Sequence, residues 1–317
     1  MTTSGTYSFS VSRDDIIRQA LLNIGKLDPF ETPDAQHTQD CAIVLNMMCK
    51  QMMGKADFAT GLKVWTRKRG HLFLSSTTGQ YSVGPTAIGW TYAFASPTAT
   101  GAVAASGVSV TLSSVVGVAT GYNLGIVQTD GSLFWTTISN LAGSVATVGA
   151  LPVGAPSGAQ VFVYQTAAQQ PILIESALLR QTDGTDTPVN ILRTTQDYDI
   201  LSSKVQASFQ SDPTAVYYEF QLGNSNLYTD CGSAQDTTKH LVLTVMEPIQ
   251  DFNNPLDTPY FPQEFYLPLC WGLSKLICPQ FNRVWTQSME DNYVLCMRIA
   301  KGKDAEVTTL FFQPGIE

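Results

Sequence analysis

Few residues of this sequence combine a type and a spacing that would support catalysis or metal binding. His37 and Cys41 are four residues apart, which places two ligands on one helix face, but no second pair with ligand spacing accompanies them. Asp14 and Asp15 are adjacent, but they fall in the first turn of a predicted helix, where the macrodipole favours carboxylates. There is no glycine-rich phosphate loop and no G-x-S-x-G motif. The sequence therefore predicts no catalytic residue, no metal site and no cofactor.

Composition excludes several classes of protein. The net charge is −8 and the isoelectric point about 4.8, whereas a sequence-independent polyanion binder needs a surplus of Lys and Arg. No apolar run is long enough to span a bilayer, and the first residues lack the pattern of a signal peptide. We therefore expect no membrane contact and folding in a cytoplasm. The six cysteines show no C-x-x-C spacing, which favours buried free thiols over disulfides or a zinc site.

Two amphipathic helices near the start of the chain are its clearest predicted elements. Ser12 and Asp15 have the spacing of a capping box, and Thr32 followed by Pro33 has the pattern of a second helix start. Their apolar stripes at helical spacing are Ile16, Ile17, Ala20, Leu21 and Ile24, then Thr38, Cys41, Ala42, Leu45, Met48 and Met52. Two stripes of this width cannot bury each other completely. We expect two helices beyond Phe261 to cover the rest.

An uncharged segment divides the chain. Between Gly70 and Ile174 the only charged residue is Asp130, and short β-branched runs alternate there with turn residues. This predicts a small all-β sandwich or barrel at 89–168, inserted into a body formed by 1–88 and 169–317. The predicted fold class is therefore α+β: a helical body with an antiparallel sheet and an inserted all-β domain.

Aromatic and basic residues outside the predicted core are candidates for partner binding. Tyr7 and Phe9 lie in a predicted extended N-terminal arm, and Arg67, Lys68 and Arg69 form a basic cluster in a predicted strand. That cluster has two equally supported interpretations, a contact with phosphate or an acidic partner, and a strand edge protected by charge.

Two further sets complete these candidates. The charged face of the first helix is expected to meet a neighbouring subunit or a channel, and it includes Arg13, Asp14 and Arg18. The aromatic end of the chain cannot bury itself locally, so we expect it to dock on a neighbour. It contains Phe311, Phe312 and Pro314.

Several stretches resemble the head-to-tail adaptor (connector) proteins of tailed bacteriophages, especially short-tailed ones. They include S-R-D-D-I-I-R-Q-A-L-L-N-I-G, E-T-P-D-A-Q, D-T-P-V-N-I-L, P-I-Q-D-F and the terminal F-F-Q-P. The resemblance implies a structural virion protein that assembles in the host cytoplasm and forms a ring, commonly a dodecamer, beneath the portal. Such a ring extends the DNA channel and presents a platform for the tail nozzle and other tail proteins, without enzyme activity. The uncharged insert departs from the family pattern.

The charge of the chain fits this interpretation, because an acidic channel repels phosphates and lets double-stranded DNA slide without sequence-specific binding. Two alternatives remain. One is another virion component, a tail nozzle or capsid decoration protein, with the β insert as its binding module. The other is a cell-wall glycan hydrolase, which needs a carboxyl group of raised pKa; its candidates are Glu175, Glu219, Glu247 and Glu264.

Overall fold

The computed structural model describes residues 5–54, 64–202, 204 and 208–304. The chain divides into two compact units. We call Met1–Thr66 with Ile249–Glu317 the helical unit and Arg67–Pro248 the β unit. Numbered along the chain, the α-helices of the described residues are α1 (Arg13–Asn23), α2 (Ala35–Met52), α3 (Thr195–Asp199), α4 (Tyr266–Ile277) and α5 (Gln287–Lys303). None of these helices has both the length and the apolarity that crossing a bilayer requires.

The helical unit is built from α1, α2, α4 and α5 around one apolar core. Helix α4 packs against the other three, so it covers the stripes that α1 and α2 leave open. Its apolar residues face nearly every direction, as a central helix requires. Pro268 is tolerated because it lies in the first turn, where its missing N–H would have no helical partner. The core members from α1, α2 and α4 include Ile16, Ile17, Leu21, Cys41, Leu45, Cys49, Leu269 and Leu273.

Of the two predicted helix caps, the first is confirmed and the second is wrong. The Ser12 backbone N–H donates to Asp15 Oδ2 at 2.9 Å, and the Asp15 backbone N–H donates to Ser12 Oγ at 3.2 Å, so the predicted capping box is present. The predicted cap at Thr32 is wrong. Asp34 caps α2 instead, because its carboxylate accepts from two backbone N–H groups.

The β unit is organised around an eight-stranded sheet. Its strands in spatial order are β2 (Gln80–Val83), β14 (Ser225–Thr229), β13 (Ala215–Glu219), β11 (Asp186–Leu192), β10 (Leu173–Arg180), β16 (His240–Met246), β1 (Arg67–Phe73) and β3 (Trp90–Thr91). Neighbouring strands are antiparallel except β11 and β13, which are parallel and are joined by a connection that contains α3. A separate parallel pair joins β12 (Gln210–Ser211) to β15 (Ser233–Ala234).

This sheet curls until it nearly closes into a barrel. Strands β1 and β2 are six positions apart in the sheet, which on a flat sheet would be roughly 29 Å at the usual strand spacing of about 4.8 Å. The chain passes from Phe73 at the end of β1 to Gln80 at the start of β2, and a segment of that length reaches about 25 Å at most. The short connection therefore requires a curved sheet.

Two three-stranded antiparallel sheets complete the β unit between residues 89 and 168. One has the order β4 (Ser109–Thr111), β8 (Val145–Thr147) and β7 (Asn140–Ala142). The other has the order β6 (Leu133–Thr137), β5 (Asn123–Val127) and β9 (Val161–Tyr164). Their shared apolar core includes Val110, Leu124, Ile126, Ile138 and Val161. All but one of these strands coincide with β-branched runs of the sequence.

The predicted fold class, an α+β helical body carrying an antiparallel sheet, is wrong. The protein is mostly β, and the β unit comprises more than half of the chain. The strands at 67–88 and 169–248 group with the 89–168 segment rather than with the helices. The error has a physical cause. The pattern along the chain indicates the strands, but it does not show which distant strands pair, so it gives neither the size of the sheet nor its grouping apart from the helices.

Candidate interaction surfaces

The N-terminal arm lies against the start of α4. Gln263 Nε2 donates to the carbonyl oxygens of Tyr7 at 3.2 Å and Phe9 at 2.8 Å, and the Phe9 ring lies 6.2 Å from that of Tyr266. The two aromatic side chains remain largely uncovered, with exposed fractions of 94% for Tyr7 and 67% for Phe9. The backbone of the arm is therefore fixed by hydrogen bonds from Gln263, while the side chains of Tyr7 and Phe9 remain exposed to a partner.

The charged face predicted for α1 is used within the helical unit. The Arg13 guanidinium pairs with Asp14 Oδ1 at 2.8 Å, and Arg18 Nη2 donates to the carbonyl oxygen of Pro29 at 2.6 Å. The Arg13 side chain is only 13% exposed. Both arginines thus hold local structure, and the Asp14 side chain is the most exposed part of the Arg13–Asp14 pair.

The predicted basic cluster does not form one cationic patch. Successive residues of β1 point to opposite faces of the sheet, so Lys68 lies on the other side from Arg67 and Arg69. Arg67 Nε pairs with Glu175 Oε2 at 2.6 Å, and Lys68 Nζ pairs with the buried Glu247 at 3.0 Å. These ion pairs neutralise two of the three cations. The terminal residues Phe311, Phe312 and Pro314 lie outside the described residues.

Two helices of the helical unit carry exposed apolar side chains that sequence reasoning did not single out. On α2, Ile43 is 50% and Met47 is 65% exposed; on α5, Leu295 is 53% and Ile299 is 59% exposed. Each pair is spaced by four residues, which puts its members on one helix face. On each helix, a second pair of apolar residues spaced by four, on the side opposite the core stripe, is the sequence signal that indicates these exposed side chains.

A groove of about 550 Å³ lies between α2, α4 and α5. We call it the methionine groove, because Met48, Met52 and Met297 line it. Gly272 of α4 also lines it, and a Cβ atom there would come within 2.9 Å of Met48 Sδ. The remaining lining residues are Gln51, Lys275, Leu276, Glu290, Tyr293, Val294, Arg298 and Lys301. The groove thus has an apolar floor and charged groups around it.

A cluster of aromatic side chains in the β unit encloses two histidines. The register of β1 with β16 places Phe73 opposite His240 and puts His71 on the same face, with the two imidazole centroids 5.3 Å apart. Phe94 packs edge-on against both imidazoles, and Phe162 packs edge-on against that of His240. Among the described residues, His71 Nδ1 and His240 Nε2 are buried without a hydrogen-bond partner. In the described part of the chain, one nitrogen of each imidazole is therefore buried among aromatic side chains without a hydrogen bond.

Burial in this cluster lowers the pKa of His71 and of His240 to about 4. Positive charge on Arg180 lowers both pKa values further, and Arg69 does so for His71. Asp186 acts in the opposite direction on His240. Both imidazoles are consequently neutral in the folded protein near pH 7. Sequence reasoning missed this pair because nothing along the chain shows that β1 and β16, which are distant in sequence, are adjacent in the sheet.

Three of the four glutamates considered for glycan hydrolysis have polar partners. Of the four glutamates considered for glycan hydrolysis, Glu175 and Glu247 are ion-paired, and Glu219 accepts a hydrogen bond from the Tyr228 hydroxyl at 3.0 Å. Six carboxyl groups of the described residues have a pKa below the ordinary value, mainly because of hydrogen bonds from backbone N–H, hydroxyl, guanidinium or ammonium groups. They are Asp15, Asp130, Asp183, Asp186, Asp257 and Glu290. A general acid for glycan hydrolysis needs the opposite shift.

The side chains of His37 and Cys41, four residues apart on α2, lie in different surroundings. The His37 ring lies edge-on against Phe281, 5.0 Å between centroids, while Cys41 is buried in the helical core. Burial raises the pKa of the Cys41 thiol to about 11, which disfavours the thiolate that a metal needs. Within the part of the chain that the structure describes, no three His, Cys, Asp or Glu side chains are grouped as metal ligands.

Comparison with known proteins does not assign these surfaces to a family. No family model matches the chain, and no curated protein matches its sequence.

Proposed function

We propose that this protein is a structural subunit of a homo-oligomeric ring at the head–tail junction of a tailed bacteriophage. The ring would sit beneath the portal, extend the DNA channel and carry the tail nozzle, with no enzymatic step. The observation that carries this proposal is the exposure of apolar side chains on α2 and α5. Contiguous apolar faces of this kind are typical of subunit interfaces.

The two apolar faces suit a head-to-tail contact. Ile43 and Met47 lie on α2, whereas Leu295 and Ile299 lie on α5, so one subunit would offer its α2 face to the α5 face of the next. A contact between two different surfaces closes into a ring when its rotation permits. The copy number of twelve comes from the resemblance to connector proteins.

The remaining features support the same role. The exposed rings of Tyr7 and Phe9 give an aromatic anchor for the portal or a neighbouring subunit. The net charge of −8 suits a conduit through which double-stranded DNA slides, because like charge prevents the phosphate backbone from binding.

Electron microscopy and native mass spectrometry of the purified chain, alone and mixed with the portal complex of the same phage, test this proposal. Rings are expected, and Met47→Glu should abolish them because it buries a charge in the contact. Asn140→Glu adds the same charge to an exposed position of the β unit, away from the α2 and α5 faces, and should leave the rings intact. A chain that stays monomeric in both preparations would show that the ring proposal is wrong.

The position of the ring distinguishes the alternatives. A ring found at the distal end of the tail would favour a nozzle component, and copies scattered over the capsid would favour a decoration protein.

A further inference from the structure

The methionine groove has the chemistry of a peptide-binding groove. Methionine side chains are flexible and polarisable, so a floor of them adapts to aromatic or branched groups. Grooves of this kind accept a short segment that inserts two or three apolar anchors. The groove volume of about 550 Å³ falls within the range that small ligands and side chains fill. Because the groove runs along α5, the segment that follows α5 in the chain is close enough to enter it.

The chain itself continues from the wall of the groove. Helix α5 lines the groove from Glu290 to Lys301 and ends at Lys303, so the lined length is about 16 Å at 1.5 Å per residue. Residues 305–317 follow after Asp304. An extended segment of that length spans roughly 43 Å. It is therefore long enough to turn back along α5 and bring Leu310, Phe311 and Phe312 over the methionines.

The charges of the two parts are complementary. Residues 305–317 contain Glu306 and Glu317 and no Lys, Arg or His. The groove has three cationic side chains, Lys275, Arg298 and Lys301, and one carboxylate, Glu290. Glu290 is already paired with Lys275 at 2.7 Å. An acidic segment with apolar anchors thus fits both the floor and the margin of the groove.

We propose that the methionine groove is the docking site for residues 305–317 of the same chain, with Phe311 and Phe312 as the apolar anchors. Attachment through α5 gives the segment a high effective concentration at the groove, so docking within the chain outcompetes docking on a second copy. The inference revises the expectation that these phenylalanines need a neighbour. It does not depend on the ring proposed above.

Limited proteolysis with chymotrypsin, followed by mass spectrometry, tests the proposal. Chymotrypsin cleaves after Phe311 and Phe312, and a docked segment is cut only from its open state. Val294→Glu places a charge on the groove wall, and we expect it to speed loss of the C-terminal residues about 10-fold or more. Gln19→Glu is the control, since Gln19 is exposed on α1 of the same unit, does not line the groove and lies outside the proposed ring contact. Equal cleavage rates in the wild type and Val294→Glu would overturn the proposal.

Two additional measurements make the result decisive. If Val294→Glu does not fold, Arg298→Glu provides the test. It reverses the charge of a side chain that is exposed beside the groove. We expect several-fold faster cleavage than in the wild type at low salt, and a smaller difference at high salt, because salt screens the attraction that the variant removes. An unchanged rate counts against docking. The cleavage rate of the wild type must also be independent of protein concentration. Protection that increases with concentration would place the segment on a second copy and overturn docking within the chain.

Discussion

His71 and His240 make the β unit sensitive to acid. Each has a pKa of about 4 when folded and about 6.5 when unfolded. Because the folded pKa is the lower one, the unfolded chain binds more protons between these values, so stability falls as pH decreases from about 6.5 towards 4. We expect a loss of up to roughly 2 kcal/mol per histidine at pH 5. Urea denaturation at pH 7.5 and pH 5.0 measures it.

A variant separates this effect from general acid sensitivity. His240→Phe keeps an aromatic ring in the cluster and cannot take up a proton, so the loss of stability between the two pH values should shrink by about half. If His240→Phe responds to pH as the wild type does, the buried pair is not the cause.

Gly70 is a second residue whose identity is fixed by packing. The indole of the fully buried Trp90 crosses over it, and a Cβ atom at Gly70 would lie 1.9 Å from Trp90 Cη2. We expect Gly70→Ala to lower the free energy of unfolding by about 3 kcal/mol, the upper part of the range for overpacking. Gly101→Ala is the control, because a Cβ there has no atom within 4 Å. Equal stability of the two variants in urea would contradict this packing.

At the scale of an element, the start of α1 depends on Ser12. Its hydroxyl accepts from the Asp15 backbone, and the reciprocal hydrogen bonds from Ser12 lower the pKa of the Asp15 carboxyl. Ser12→Ala should destabilise the protein by about 1 kcal/mol. Ser10→Ala changes an exposed serine two residues earlier and should have no measurable effect. Thermal unfolding followed by circular dichroism compares them, and equal midpoints would exclude a stabilising cap.

The elements differ in how far the sequence predicts them. The capping box of α1 is local, since all its atoms lie within four consecutive residues, and it was predicted correctly. Most strands of the 89–168 segment were also recognisable from the sequence, because short runs of β-branched residues alternate there with turn residues. The start of α2 was missed because Thr32 and Asp34 are both good capping residues. The backbone conformation of the connecting segment decides between them, and sequence does not give it.

At the scale of the whole molecule, the β unit is one continuous stretch of chain, whereas the helical unit is assembled from two ends. The β unit has its own apolar cores. We therefore expect a fragment of residues 67–248 to fold alone and to unfold in one cooperative transition. Urea denaturation of this fragment measures that transition, and its acid sensitivity should match that of the full chain. A fragment without cooperative unfolding would contradict the division into units.

The sequence by itself determined the features that depend on near neighbours along the chain. These are the amphipathic helices, the Ser12 cap, the β-branched strands and the scarcity of residues typical of catalysis. Only the tertiary structure decided the order of the eight strands, the pairing of Arg67 with Glu175 and Lys68 with Glu247, and the meeting of His71 with His240. The reason is physical: strand pairing joins residues more than a hundred positions apart, and local propensity carries no information about which distant strand becomes the partner.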